Sequence, residues 1–252
     1  MDLPTSFWHQ RFLQQTRWTK ELRFHLYKKF HVHNVKRILE VGCGTGSLVS
    51  EFGGQTDAII FGMDINSEYL SFVKENHPQV DLIRGDAHQL PFADQSIDVT
   101  MCHFLLLWVD DPNRVLREMK RVTRQGMPVL ALAEPDYGGR IDYPSELARI
   151  GELQKHALRS QGADPEIGRR LAEIFSQAGL QSIEVGVLGG QWKSPIAKDE
   201  WEREWEVIRN DLSGLVTVDE LKIIQEIDRG AWEKGERILF VPTFYAIGYV
   251  TK

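Results

Sequence analysis

The chain has 252 residues, of which 42% are hydrophobic, and its 30 basic and 36 acidic side chains give a formal net charge of −6. Such a length buries a core without disulfides or metal ions. Two cysteines and the lack of a run of about 18 apolar residues exclude a disulfide-rich secreted module and a transmembrane helix. We expect a cytoplasmic protein without a secretory leader, and the acidic balance disfavours nucleic-acid and anionic membrane partners.

The first predicted element is an amphipathic helix. Leu22, Leu26 and Phe30 recur every four residues in a basic part of the chain. Thr19 stands ahead of them as a potential N-cap. This pattern predicts one apolar face and a solvated basic face rather than a nucleic-acid-binding arm, so residues 1–36 are predicted to form an N-terminal helical cap.

Strands and helices alternate from residue 37 onward. Strands are predicted at residues 37–41, 58–63, 81–84, 98–104 and 128–133, where residues with high β-strand propensity cluster. One helix is predicted from Ser47 to Phe52, a second behind the cap residue Asn66, and a third behind Asp111 and Pro112. This order with short connections indicates a parallel sheet between two layers of helices.

The last third of the chain departs from this order. A helix is predicted over residues 167–178, and strands are predicted around residues 183–187 and 240–250. Between these strands lies an acidic, mainly helical segment in which Trp201 and Trp205 share one helix face. Packing is the favoured role of this pair, and a cage over an aromatic or hydrophobic substrate is the alternative.

A glycine-rich turn follows the first predicted strand. Gly42, Gly44 and Gly46 allow a sharp turn and a close approach of the backbone to a ligand. A dinucleotide fingerprint needs a glycine at the position of Ser47. Glu40 would repel a pyrophosphate and would attract a ligand that carries a sulfonium and an ammonium group.

Two further acids follow the next strands. Asp64 ends the second strand, where a carboxylate accepts hydrogen bonds from ribose hydroxyls, and Asp86 follows the third, where it could accept from an adenine amino group. Each acid alone is more often a cap or turn residue than a ligand of a nucleoside. Together with Glu40 they converge on the crevice at the carboxyl edge of the sheet.

The chain resembles the class I S-adenosylmethionine-dependent methyltransferases, and within them the group around the ubiquinone and menaquinone biosynthesis methyltransferases. The resemblance is carried by Leu39 to Gly46, Gly62 to Asp64, Gly85 to Phe92, and Ser96 to Val99 leading to Trp108 to Pro112. It implies an α/β fold, a Rossmann-like three-layer αβα sandwich. Its seven-stranded, mostly parallel sheet has the last strand antiparallel and carries a helical cover.

The resemblance also implies the cofactor-binding set. The turn from Gly42 through Cys43 to Gly46 would hold the methionine part of S-adenosylmethionine. Asp64, with Ile65 beside it, would hold the ribose, and Asp86 with Ala87 the adenine. His103 would lie beside the methionine amine, through its backbone carbonyl, and Glu40 completes the set.

The expected chemistry is transfer of a methyl group to an O, N, C or S atom of a small molecule. His103 is the histidine predicted near the methyl group, where it is either a base or a packed side chain. The substrate walls are expected from Trp108, Asp136, Tyr137 and Arg140, with Arg140 as a clamp for a carboxylate or phosphate. A solvated loop is the alternative for the residues after Glu134.

One domain over residues 1–252 is expected. Its parts are the helical cap, a cofactor-binding core at 37–136, a helical substrate cover at 137–163 and 192–236, and sheet completion at 164–191 and 237–252. The protein is expected to be a monomer or homodimer.

Metal and thiol chemistry are not expected. His31 and His33 form a close pair without further ligands, so no metal site is predicted. Cys43 lies at a helix N-terminus, where its thiol pKa could fall, but no nucleophilic triad accompanies it.

Three alternatives remain. A nicotinamide-dependent oxidoreductase would share the fold, although Ser47 and Glu40 disfavour it. A non-catalytic S-adenosylmethionine-binding protein would keep the same pocket. A protein or RNA methyltransferase is disfavoured by the negative charge and by the segment from His103 to Leu106, which differs from an Asn-Pro-Pro-Tyr motif.

Overall fold

The computed structural model describes residues 3–29, 34–52, 56–188 and 198–251. Its strands are β1 Arg37–Val41, β2 Ile59–Asp64, β3 Asp81–Arg84, β4 Val99–Cys102, β5 Pro128–Pro135, β6 Ile141–Tyr143, β7 Gln181–Leu188, β8 Ile238–Phe240 and β9 Thr243–Tyr249. Its helices are α1 Thr5–Trp18, α2 Lys20–Lys29, α3 Ser67–Asn76, α4 Pro112–Val122, α5 Ala148–Ser160, α6 Leu171–Gln177, α7 Lys198–Asp211 and α8 Val218–Glu233.

The main sheet has seven strands in the order β3-β2-β1-β4-β5-β9-β7. The pairs from β3 to β5 are parallel, and β9 is antiparallel to both of its neighbours, β5 and β7. The predicted seven-stranded sheet with an antiparallel last strand is therefore confirmed. All eight residues of β5 are buried, as expected of a central strand covered on both faces.

Alternating side chains of β1 divide the core between the two faces of the sheet. Leu39 packs with Met119 of α4 and Phe175 of α6 in one apolar cluster. Ile38, pointing the other way, packs with Leu26 of α2 in a second cluster. Helices therefore cover both faces, which is the predicted three-layer arrangement.

The predicted helix caps are confirmed. The Asn66 side chain accepts a hydrogen bond from the backbone N–H of Glu68 at 2.9 Å at the start of α3. The Asp111 side chain accepts from the N–H of Arg114 at 2.9 Å, and Pro112 is the first residue of α4. Both helices therefore begin where local chemistry predicts.

The N-terminal cap differs from its prediction. Thr19 lies between α1 and α2, but its hydroxyl donates to the carbonyl of Thr16 at 3.2 Å instead of capping α2. The predicted basic face is not wholly solvated, because Arg23 is buried and forms an ion pair with Glu51. Phe30 lies outside the described residues, as does Trp192 in the predicted cover.

Two local predictions were wrong. The helix expected from Ser47 is only a short 3₁₀ turn over Val49–Phe52. A second, two-stranded sheet of β6 and β8 was not predicted, since each strand has three residues and the partners lie almost a hundred residues apart.

In the part of the chain that the structure describes, no helix is long and apolar enough to span a membrane.

A buried polar network holds the helical cover together. The Nε1 atoms of Trp201 and Trp205 both donate to Oδ2 of Asp228, at 2.7 and 2.8 Å. Arg237 donates from Nε to Oδ1 of Asp228 at 2.6 Å and from Nη2 to Asp142 at 2.7 Å. The network joins α7, α8 and the β6–β8 sheet. The tryptophan pair thus shares one helix face, as predicted, and belongs to the packed cover.

Asp228→Asn is expected to lower the free energy of unfolding by about 1–3 kcal/mol, because the buried Arg237 guanidinium loses one of its two charged partners and keeps only Asp142. Urea denaturation of the two proteins measures the difference. Asp219→Asn is the matched control, since Asp219 lies on the same helix with a side chain 90% exposed. Equal stability of Asp228→Asn and the control would contradict the expectation.

Candidate functional site

The glycine turn adopts the conformation that its sequence predicts. Gly42 and Gly46 have φ angles of +74° and +80°, in the region that favours glycine. The backbone N–H groups of Gly42 and Cys43 both donate to the carbonyl of Met63, at 2.8 and 2.9 Å. The turn is therefore anchored to the end of β2.

Glu40 is buried in β1 immediately before this turn. Its Oε2 atom has no hydrogen-bond partner among the described residues. Burial raises the pKa of Glu40 well above its ordinary range, against the opposing effects of the Val49 N–H and the Arg23 guanidinium. An unpartnered carboxyl oxygen beside a glycine turn fits a cationic ligand group.

Asp64 and the turn are directly connected. Oδ2 of Asp64 accepts a hydrogen bond from the N–H of Gly44 at 2.8 Å, and Oδ1 accepts from the N–H of Asn66 at 2.9 Å. These two bonds hold the carboxylate at the carboxyl end of β2. Ile65 is 66% exposed next to it, so its apolar side chain is free to cover a flat ligand group.

Asp86 lies after β3 with an exposed carboxylate. It accepts hydrogen bonds from the backbone N–H of His88 at 2.9 Å and from the ring Nδ1 of His88 at 2.7 Å, and these bonds lower the pKa of Asp86. Ala87 packs against the apolar cluster below. Glu40, Asp64 and Asp86 therefore all lie at the carboxyl edge of neighbouring strands, as predicted.

His103 follows β4 and faces the N-terminal cap. Its Nε2 atom lies 3.1 Å from Oγ1 of Thr19. Burial lowers the pKa of His103 to about 3, and the positive charge of Arg23 acts in the same direction. The ring is therefore neutral at pH 7 and is a weak base.

Helix α1 lies over the glycine turn. A methyl group added at Gly44 would come within 3.1 Å of the Phe12 ring. Nδ1 of His9 lies 3.0 Å from Oγ1 of Thr45, and Phe12 makes an edge contact with Tyr69 of α3. The N-terminal cap therefore covers the turn on the side away from the sheet.

Glu134 was not chosen from the sequence as a site residue, yet it shapes the site. It is fully buried at the end of β5, where it accepts hydrogen bonds from three successive backbone N–H groups, those of Leu105, Leu106 and Leu107, at 3.0, 2.9 and 3.2 Å. These bonds fix the turn that follows His103. The available signal was an acid ending an otherwise apolar strand.

The loop after β5 is held by ion pairs. Asp136 forms a two-bond pair with Arg169, both at 2.7 Å, and its Oδ1 also accepts from the N–H of Gly138. Arg140 donates to both carboxylate oxygens of Asp142, at 2.7 and 3.1 Å, and to Gln154. The Arg140 guanidinium, which was expected to clamp a ligand, is therefore occupied by Asp142.

Aromatic side chains remain available near this loop. Tyr137 is partly buried, with the Arg140 guanidinium 6.0 Å from its ring centre. Burial raises the pKa of Tyr137, and the charges of Arg140 and Arg11 oppose that effect. Trp108, in the 3₁₀ turn after β4, is 48% exposed.

The expectation that the pKa of the Cys43 thiol falls was wrong, because the pKa rises. Cys43 is buried beneath the turn, with its Sγ against the position that a side chain at Gly62 would take, and burial raises the pKa of its thiol well above the ordinary value. His31 and His33 lie outside the described residues. Within the described ranges, no group of three or more potential ligands is placed to hold a metal ion.

Comparisons with known proteins agree with this geometry. The family model for a methyltransferase domain matches residues 39–130. A demethylmenaquinone methyltransferase of Bacillus velezensis is 32% identical over 180 residues, which cover 62% of this chain and 77% of the relative. A malonyl-[acyl-carrier protein] O-methyltransferase of Pectobacterium atrosepticum is 30% identical over 123 residues, but the match spans only 48% of that relative and 49% of this chain.

A solved structure shares the fold over most of the chain. The phosphoethanolamine N-methyltransferase 2 of Haemonchus contortus, in complex with phosphomonomethylethanolamine and S-adenosylhomocysteine, superposes with a TM-score of 0.59 at 15% identity. The superposition covers 95% of this chain and 57% of the Haemonchus chain. At this identity the similarity concerns the fold alone.

The buried carboxyl of Glu134 predicts a pH dependence of stability. Burial raises its pKa to about 8 in the folded chain from an ordinary value of 4.5, so the folded state binds this proton more tightly than the unfolded state. The stability that the protonated Glu134 carboxyl contributes to the fold is fully present below about pH 4.5 and is lost as the pH rises through about 8. The stability of the wild type relative to Glu134→Gln should therefore fall across this window, as measured by urea denaturation at several pH values.

The exposed acid Glu173 of α6 provides the baseline for that measurement, through the variant Glu173→Gln. A wild type that becomes more stable relative to Glu134→Gln as the pH rises would contradict the expectation. Such a result would mean that the three N–H donors outweigh burial and favour the ionised carboxylate.

Proposed function

Because the chain belongs to the S-adenosylmethionine-dependent methyltransferase family, we propose that it transfers a methyl group from S-adenosylmethionine to an O, N, C or S atom of a small-molecule acceptor. Glu40 is the observation that carries this proposal. Its buried oxygen, which has no hydrogen-bond partner within the described ranges, suits the ammonium and sulfonium charges of this cofactor and would repel a pyrophosphate.

The proposed cofactor site uses the residues predicted from the sequence. We propose that the turn from Gly42 to Gly46, with Cys43, binds the methionine part and that Asp64 and Ile65 bind the ribose. Asp86 and Ala87 complete this set at the adenine. When bound, S-adenosylmethionine supplies an activated methyl group on its sulfonium.

The protein's own contribution is to align the acceptor and to exclude water. Helix α1 closes the glycine turn from above through Phe12, and Glu134 fixes the turn after His103. His103 takes part in the proposal through its backbone carbonyl, and its neutral ring, paired with Thr19, positions the cap. A histidine whose pKa is about 3 favours this role over that of a base.

The walls of the acceptor site are also proposed. The exposed Trp108 and the partly buried Tyr137 are placed to contact the acceptor. Asp136 and Arg140, which pair with Arg169 and Asp142, act by holding the loop that carries Tyr137. We propose that this loop, the cap and the cover bound the acceptor site, an arrangement that would suit a small acceptor rather than a nucleic acid or a protein.

Calorimetric titration with S-adenosylmethionine and, separately, with NAD tests the proposed cofactor. We expect saturable binding of S-adenosylmethionine, and Glu40→Gln should weaken it roughly 10- to 100-fold, because a charge-assisted hydrogen bond becomes a neutral one. Glu68→Gln, at an exposed acid in the first turn of α3, is the control and should bind like the wild type.

Binding of NAD alone would refute this function and favour an oxidoreductase. A panel of acceptors then separates an enzyme from a non-catalytic binding protein. The enzyme forms S-adenosylhomocysteine above the rate without acceptor, whereas the binding protein does not.

His103→Ala is expected to lower kcat/KM roughly tenfold by loosening the contact with Thr19. The shape of the pH profile between pH 5 and 8 should remain unchanged, because the ring is neutral throughout. His103→Gln, which can still hydrogen-bond Thr19, should recover most of the activity. Loss of one ionisation from the profile in both variants would instead identify the ring as a base.

A further inference from the structure

Arg11 of α1 is a buried arginine with an unused hydrogen-bonding edge. It is 8% exposed, and its Nη1 donates to Oε1 of Gln14 at 3.0 Å and to Oε2 of Glu204 at 2.6 Å. A guanidinium carries five N–H donors. No hydrogen bond from Nε or Nη2 of Arg11 reaches a residue in the described ranges, so these two donors are not engaged by that part of the chain.

This arginine belongs to the cap that packs against the glycine turn. The next residue, Phe12, packs over Gly44 of that turn. The Arg11 guanidinium itself joins the cap to α7 through Glu204. Tyr137, after β5, is close enough for the charge of this guanidinium to act on its pKa, so Arg11 lies near the loop that is proposed to wall the acceptor.

Two further buried arginines near the site, Arg140 and Arg23, are already engaged by residues of the chain, and Arg169 pairs with Asp136. Arg140 has both edges bound by Asp142 and Gln154. Arg23 donates to Glu51 and to the cap residues Thr16 and Thr19. Arg11 is thus the arginine, among these four, that can offer two parallel N–H groups to a ligand.

We propose that the Nε and Nη2 edge of Arg11 binds a carboxylate of the methyl acceptor, which makes the acceptor an organic acid. This inference rests on the proposed methyltransferase function. Two parallel N–H groups match the two oxygens of a carboxylate. Glu204, bound to Nη1, competes with the acceptor through its charge, because it partly neutralises the guanidinium and repels a second carboxylate.

The ion pair of Arg11 and Glu204 has two other possible roles, and each predicts a different effect of the variants on ligand binding. A purely structural pair would join α1 to α7, and removal of either partner would weaken the site in the same way. An acceptor amine would bind Glu204 instead. For a carboxylate acceptor, removal of Arg11 weakens binding whereas removal of the competing Glu204 strengthens it.

The experiment measures ligand binding by calorimetry on the full chain saturated with S-adenosylhomocysteine. The probes are benzoate, hydroxybenzoates and hydroxynaphthoates, each with its neutral amide, together with benzylamine. At least one carboxylate should bind the wild type roughly tenfold or more tightly than its amide. Arg11→Gln should abolish that preference, and Glu204→Gln should increase it.

Arg17→Gln is the matched control, because Arg17 and Glu200 form an exposed pair between the same two helices, at 3.8 Å. It should leave the preference unchanged. Equal losses in Arg11→Gln and Glu204→Gln, a preference for benzylamine that depends on Glu204, or no carboxylate preferred over its amide would each overturn the inference. Binding of S-adenosylhomocysteine by every variant keeps such an outcome separate from a failure of the proposed function.

Discussion

Two carboxyl groups buried at the carboxyl edge of the parallel sheet govern the rest of this site. Parallel strands end at a common edge, so Glu40 of β1 and Glu134 of β5 both lie near that edge. Glu134 accepts three backbone N–H groups and thereby builds the wall after His103. Glu40 keeps an unpartnered oxygen, at a cost of about 1–3 kcal/mol that a bound cation would offset.

The cap over this edge is held mainly by polar contacts. The buried side chains of α1 are Arg11, Gln14 and Thr16, which is unusual for a helix that covers a protein core. They find partners on α7 and on the neighbouring cap residues instead of an apolar surface. A cap of this kind encloses the site while leaving polar groups inside it, and those groups can discriminate between acceptors.

Local signals made the cofactor half predictable from the sequence. The strands and the caps at Asn66 and Asp111 depend on neighbouring residues, and the glycine turn depends on residues within one short segment. The acceptor half depends on partners far apart in the chain. Arg140 looked free because its partners Asp142 and Gln154 carry no local signal, and burial of Cys43, which reverses its expected pKa shift, follows from packing against Gly62.

Because the proposed acceptor half depends on partners far apart in the chain, distant substitutions are expected to change the choice of acceptor. Arg140, Asp142, Arg237 and Asp228 form one buried chain of charges from the loop after β5 to α8. A substitution in the cover can therefore shift the loop that carries Tyr137 without contact with Glu40 or the glycine turn. Removal of one member of a buried charge pair leaves its partner unpaired, so substitutions in this chain of charges are expected to affect the proposed acceptor wall more than the glycine turn.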